Sequence, residues 1–143
     1  MALLTGFFKA LMGICETPRL DAELWTLEGN QVTIRLGEAA ALAAVGGAVR
    51  LGGKGLVSSI LIVHVGADEY LAFENRCTHA GRKLDPVEGK RELRCCSVGH
   101  SRFDYQGNKL SGLAKDPLKK YPVEKRGEQL IVTLDAASDP GLV

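Results

Sequence analysis

Long hydrophobic runs are missing from this chain of 143 residues, and so is any surplus of charge. The most apolar terminus, residues 1–14, is broken by Gly6, Lys9 and Gly13 and is too short to cross a bilayer, so no transmembrane segment is expected. It also lacks the leading basic residues and the small-residue cleavage point of a signal peptide, and a cytoplasmic protein is expected. Lys and Arg number 18 against 17 Asp and Glu, a net charge of +1 with the signs interspersed; neither nucleic-acid binding nor an extended charged patch is expected. Four cysteines are too few for a disulfide scaffold, and three fall in one stretch, which favours metal ligation over cross-linking. Cys15 stands apart and reads as a plain thiol. Internal repeats and low-complexity segments are absent too, and the length suits a single domain, 1–143, that buries its core without staples.

What is present reads as strands behind a short amphipathic start. Leu3, Leu4, Phe7, Phe8, Leu11 and Ile14 recur at helical spacing, so residues 1–20 are expected to hold an N-terminal helical segment. The apolar face of residues 1–14 packs on its own domain, or it leaves room for self-association or a membrane surface. Val32, Ile34 and Leu36 alternate with Thr33 and Arg35, the period of a half-buried strand. Residues 59–65 and 69–73 flank Gly66-Ala67-Asp68 as a hairpin, and 121–126 and 129–134 flank Gly127-Glu128 as another, with Pro122 at an edge. A short strand is expected around Val49 and Leu51, and the alanine-rich 38–45 suits a helical turn or two. The tail 135–143 is expected to be loose. The fold class is all-β.

Residues 75–115 break the strand pattern and carry the chemistry. Cys77-Thr78-His79 is followed, after a spacer of sixteen residues, by Cys96 and then His100. Two cysteines and two histidines so arranged are the ligand set of an iron–sulfur cluster with cysteines on one iron and histidines on the other. A zinc ion takes the same donors, but zinc motifs bring paired cysteines close in sequence. The third histidine, His64, lies in the apolar run 60–65 and is expected to be a core or strand-face residue.

In order, Cys77-Thr78-His79-Ala80-Gly81, Cys96, His100-Ser101-Arg102-Phe103-Asp104, Gly107, Gly112, Ala114, Pro117, Leu118 and Tyr121 resemble the Rieske iron–sulfur family. The resemblance implies an antiparallel β-sandwich with an inserted cluster-binding subdomain, here 75–115, and a 2Fe-2S cluster held by Cys77, His79, Cys96 and His100. It implies cofactor contacts from Gly81, Ser101, Phe103 and Gly112 as well. One departure stands out. The family's second loop runs Cys-x-x-His-Gly, whereas here glycine precedes histidine, as Gly99-His100. Counted back from Phe103-Asp104 the ligand cysteine is Cys96; counted forward from 92–94 it is Cys95.

The resemblance implies a one-electron carrier, ferredoxin-like, exchanging electrons with a reductase or oxygenase component. The other reading is a cluster-free accessory subunit acting as an interaction module. Ser101 stands where high-potential members place a serine that bonds a bridging sulfide, and Phe103 where they place a tyrosine that bonds a ligand sulfur. Arg82 and Val98 stand where respiratory members carry a disulfide pair. The lost tyrosine hydroxyl and lost disulfide imply a low or intermediate potential, since hydrogen bonds to sulfur raise it.

Overall fold

The computed structural model describes residues 17–76, 83–87, 90–96, 101–112 and 116–134. Three antiparallel four-stranded sheets organise them. In the first, β1 (Trp25–Glu28), β2 (Gln31–Arg35), β12 (Gln129–Thr133) and β11 (Val123–Arg126) lie in that spatial order. The second runs β10 (Lys120–Tyr121), β5 (Glu69–Glu74), β4 (Ile60–Gly66), β3 (Ala48–Leu51). The third follows chain order: β6 (Leu84–Pro86), β7 (Glu92–Cys95), β8 (Arg102–Asp104), β9 (Lys109–Ser111).

Alternation of side chains along β4 explains how the sheets stack. Ile60 and Ile62 join Trp25, Val32, Ile34, Val49, Leu51, Leu130 and Val132 in a core between the first two sheets. Leu61, Val63 and Val65 point the other way and meet Phe73, Leu84, Leu93, Cys95 and Phe103 of a second core. A strand buried on both faces reads as a continuous apolar run, and each such aliphatic side chain stabilises the fold by about 1.5–3 kcal/mol. The second sheet is thus the middle layer.

Both expected hairpins form. β4 and β5 pair from Ile60↔Glu74 to Gly66↔Glu69, with a register shift after His64, and β11 and β12 pair from Val123↔Val132 to Arg126↔Gln129. The alanine-rich segment forms two short 3-10 turns, Leu36–Glu38 and Ala40–Leu42, closed by amides bonding three residues back, Ala39 to Leu36 and Ala43 to Ala40. His64 is the core histidine expected: its Nδ1 lies 2.9 Å from the Leu42 carbonyl oxygen and its ring stacks on Tyr70 at 4.3 Å.

Of the N-terminal segment, only 17–20 are described, and they are extended rather than helical. Arg19 bridges Arg50 in parallel, and Thr17 donates from its amide (3.0 Å) and its hydroxyl to the buried carboxylate of Asp85. This strap ties β3 to β6. The expected helix in 1–14 and the tail 135–143 lie outside the described residues, and among the described residues no helix is long and apolar enough to cross a membrane.

Candidate metal centre

The third sheet positions the site through its strand ends. Residues 75–76 lead into segment 77–82, which returns at Lys83; β7 leads into 97–100, which returns at Ser101; β9 leads into 113–115. Hydrogen bonds hold these ends together. The Asn75 side chain accepts from the Leu84 amide at 2.8 Å, the Cys96 amide donates to the Lys83 carbonyl at 3.0 Å, and the Cys95 amide donates to the Ser101 carbonyl at 2.8 Å. Gly112 closes against Ser101, where an added Cβ would stand 2.5 Å from Cα and 2.6 Å from Oγ. The entries and exits of 77–82 and 97–100 and the entry of 113–115 therefore gather at one end of the sheet.

Of the eight site residues expected from sequence, Cys96, Ser101, Phe103 and Gly112 are described and stand at this end or in the core behind it. Cys77, His79, Gly81 and His100 lie outside the described residues. Among the described residues no group of three or more His, Cys, Asp and Glu side chains could hold a metal ion. The two neighbouring cysteines are separated by strand alternation. Cys95 follows Leu93 on the core face, is fully buried, and packs in the cluster that holds Phe103. Cys96, the residue just beyond the strand, is also buried but belongs to neither core cluster. With the buried Ser101 and the glycine cradle beside it, the donor set fits a thiolate-held cluster.

Phe103 is fully buried and sits opposite Leu93 across the β7–β8 pair. Asp104 accepts from the amides of Gln106 and Asn108, both at 2.9 Å, so it shapes the β8–β9 turn. Arg102 pairs with Glu92 at 3.4 Å. Behind the site, burial raises the Tyr105 phenol pKa, partly opposed by the Arg91 guanidinium over its ring, and burial with the nearby Glu74 carboxylate raises that of Tyr121.

Charge is balanced over the whole chain but not along it. Residues 76–120 carry 11 Lys and Arg against 5 Asp and Glu, whereas the rest of the chain carries 7 against 12. Along the sequence those counts give a net +6 for this stretch and a net −5 for the rest.

A family model described as Rieske [2Fe-2S] domain matches residues 22–122. The chain is 32% identical over 85 residues to carotenoid phi-ring synthase of Chlorobaculum tepidum, covering 59% of this chain and 13% of that protein, so it spans a small part of that relative. The ferredoxin of carbazole 1,9a-dioxygenase from Nocardioides aromaticivorans superposes with a TM-score of 0.57 at 20% identity, over 72% of this chain and 98% of that one. A chain from the complex of reduced oxygenase and oxidized ferredoxin in carbazole 1,9a-dioxygenase gives 0.58 at 21% identity, over 74% and 94%. At these identities the structural likeness is one of fold.

Proposed function

The chain belongs to the Rieske [2Fe-2S] family, and from that premise we propose that it is a ferredoxin-like carrier, with Cys77 and Cys96 holding one iron of its cluster and His79 and His100 the other. When bound, the cluster takes up and releases one electron. The protein's own residues hold it, shield it and present it. Cys96 supplies a thiolate from the end of β7, and the hydrogen bond from its amide to Lys83 fixes the two loop bases relative to each other. Ser101, buried under Gly112, offers a hydroxyl on the sulfur side. Cys95 serves the core. The inverted Gly99-His100 order is accommodated because coordination fixes where the donor nitrogen stands, not the sequence gap that delivers it.

The observation that carries this reading is the opposite fate of the adjacent cysteines, with Cys95 packed in an apolar core and Cys96 buried outside it, tied by its amide to Lys83 at the base of the neighbouring loop. Similarity to a ferredoxin and to a chain of an oxygenase–ferredoxin complex supports electron exchange with a larger oxidoreductase. Iron and acid-labile sulfide analysis after anaerobic purification tests it. Two irons and two sulfides per chain are expected, lost in Cys96→Ser and kept in Cys95→Ser. Stoichiometric zinc would refute the cluster, absence of metal would leave a cluster-free interaction module, and the reverse pattern in the variants would make Cys95 the ligand.

A further inference from the structure

We propose that the cluster end of the third sheet docks an acidic redox protein; this rests on the carrier reading and adds the partner's charge. The surplus of 11 basic over 5 acidic residues in 76–120 is the first observation. The second is what those acids do. Asp85 is buried and receives Thr17, Glu92 pairs with Arg102, and Asp104 receives the backbone of its own turn. The charge of these three is committed inward or locally; Asp116 is the exposed acid among the described residues of this stretch. Arg76, Lys83, Lys109 and Lys120 are exposed by contrast.

Their placement follows from the ladders. Arg76 and Lys83 flank segment 77–82, Lys109 starts the edge strand β9 that leads to Gly112, and Lys120 pairs opposite Phe73 near the end of β5. Glu74, half-buried, ends β5 beside this basic group, whereas the exposed Asp68 and Glu69 sit at the other end of β5, and Glu28, Glu124 and Glu128 belong to the first sheet and its turns. The molecule is therefore polarised, with its positive pole where the cluster loops leave the sheet. Such a pole steers an acidic surface toward the cluster and repels a basic one. β9 adds the half-exposed Leu110 as an apolar contact within the positive field.

The experiment measures binding of the cluster-loaded protein, its iron and sulfide first quantified, to an acidic plant-type ferredoxin and to basic cytochrome c by calorimetric titration. Affinity for the acidic ferredoxin should fall at least about tenfold between roughly 20 mM and 300 mM salt, as screening shortens the Debye length. The triple variant Lys83→Glu, Lys109→Glu, Lys120→Glu should lose a similar factor at low salt. A charge-matched triple on the first sheet, Arg35→Glu, Lys125→Glu, Arg126→Glu, should bind as wild type. Cytochrome c should not bind. Salt-independent binding, equal losses in both triples, or tighter binding of a single-stranded DNA oligonucleotide than of the ferredoxin would overturn the proposal with the carrier reading intact. Absence of iron and sulfide would overturn that reading itself, and the proposal with it.

Discussion

Gly112→Ala is the sharpest test of how the site is built. The residue has φ +95°, where a side chain is strained by about 1–3 kcal/mol. Its new Cβ would also stand 2.5 Å from Ser101 Cα, a backbone atom that cannot swing aside. Displacing Ser101 adds an overpacking cost of about 1–3 kcal/mol. The central expectation is a loss of about 4 kcal/mol, or roughly 12 °C in Tm for a domain of this size. Gly127→Ala is the control: its φ is +59° and nothing lies within 4 Å of the added atom, so only the left-handed backbone cost of about 1–2 kcal/mol remains. Thermal and urea unfolding of both variants give the difference, and visible absorption reports whether the cluster is retained. The Gly112 variant should lose both stability and cluster occupancy. Equal, small losses in the two variants would show that Gly112 does not clamp Ser101.

Three further outcomes follow from the same geometry. His64→Ala strands the buried Leu42 carbonyl and removes the Tyr70 stack, so urea unfolding should show a loss of about 3 kcal/mol with the visible spectrum unchanged. The wild-type potential is expected in the lower half of the family's span of about −150 to +300 mV, and Phe103→Tyr should raise it if the new hydroxyl meets a ligand sulfur; voltammetry showing no change, with a fall in Tm, would mean that the hydroxyl is trapped in the apolar core. Tyr105 and Tyr121 have raised pKa values in the folded state, so their contribution is whole below the unfolded value of 10.0 and is lost as pH climbs above it. Stability measured across that alkaline range should decline less steeply in the double Phe variant.

The hairpins were legible because one face of each strand is polar and the period of two survives in the sequence. β4 was legible as a strand but not as the centre of a three-layer stack, since burial on both faces erases the alternation that would reveal its partners. Of the third sheet, only the strand at 92–94 was legible. Its strands are three or four residues long, too short for a period to emerge, and they are fixed by pairing with one another and by packing on Leu61, Val63 and Phe73. The Cys95 and Cys96 ambiguity had a signal that alignment counting passed over. Leu93 and Cys95 share strand parity, which sends Cys95 into the core with Leu93 and leaves Cys96 buried outside that cluster. Asp85 and Thr17, 68 residues apart, could not be paired from sequence by any local rule.

The chain leaves the middle sheet at the end of β5 and rejoins it in β10, the strand paired to β5, at Lys120↔Phe73 and Tyr121↔Ala72. The whole third sheet is thus a detour whose two ends are already neighbours. A short turn could replace it and leave every ladder of the other two sheets unbroken. The detour and the eight strands beneath it therefore keep separate ladders and meet through side chains, where Leu61, Val63 and Phe73 of the middle sheet pack against Leu84, Leu93 and Phe103, so the third sheet is held to the rest by packing rather than by a shared backbone ladder.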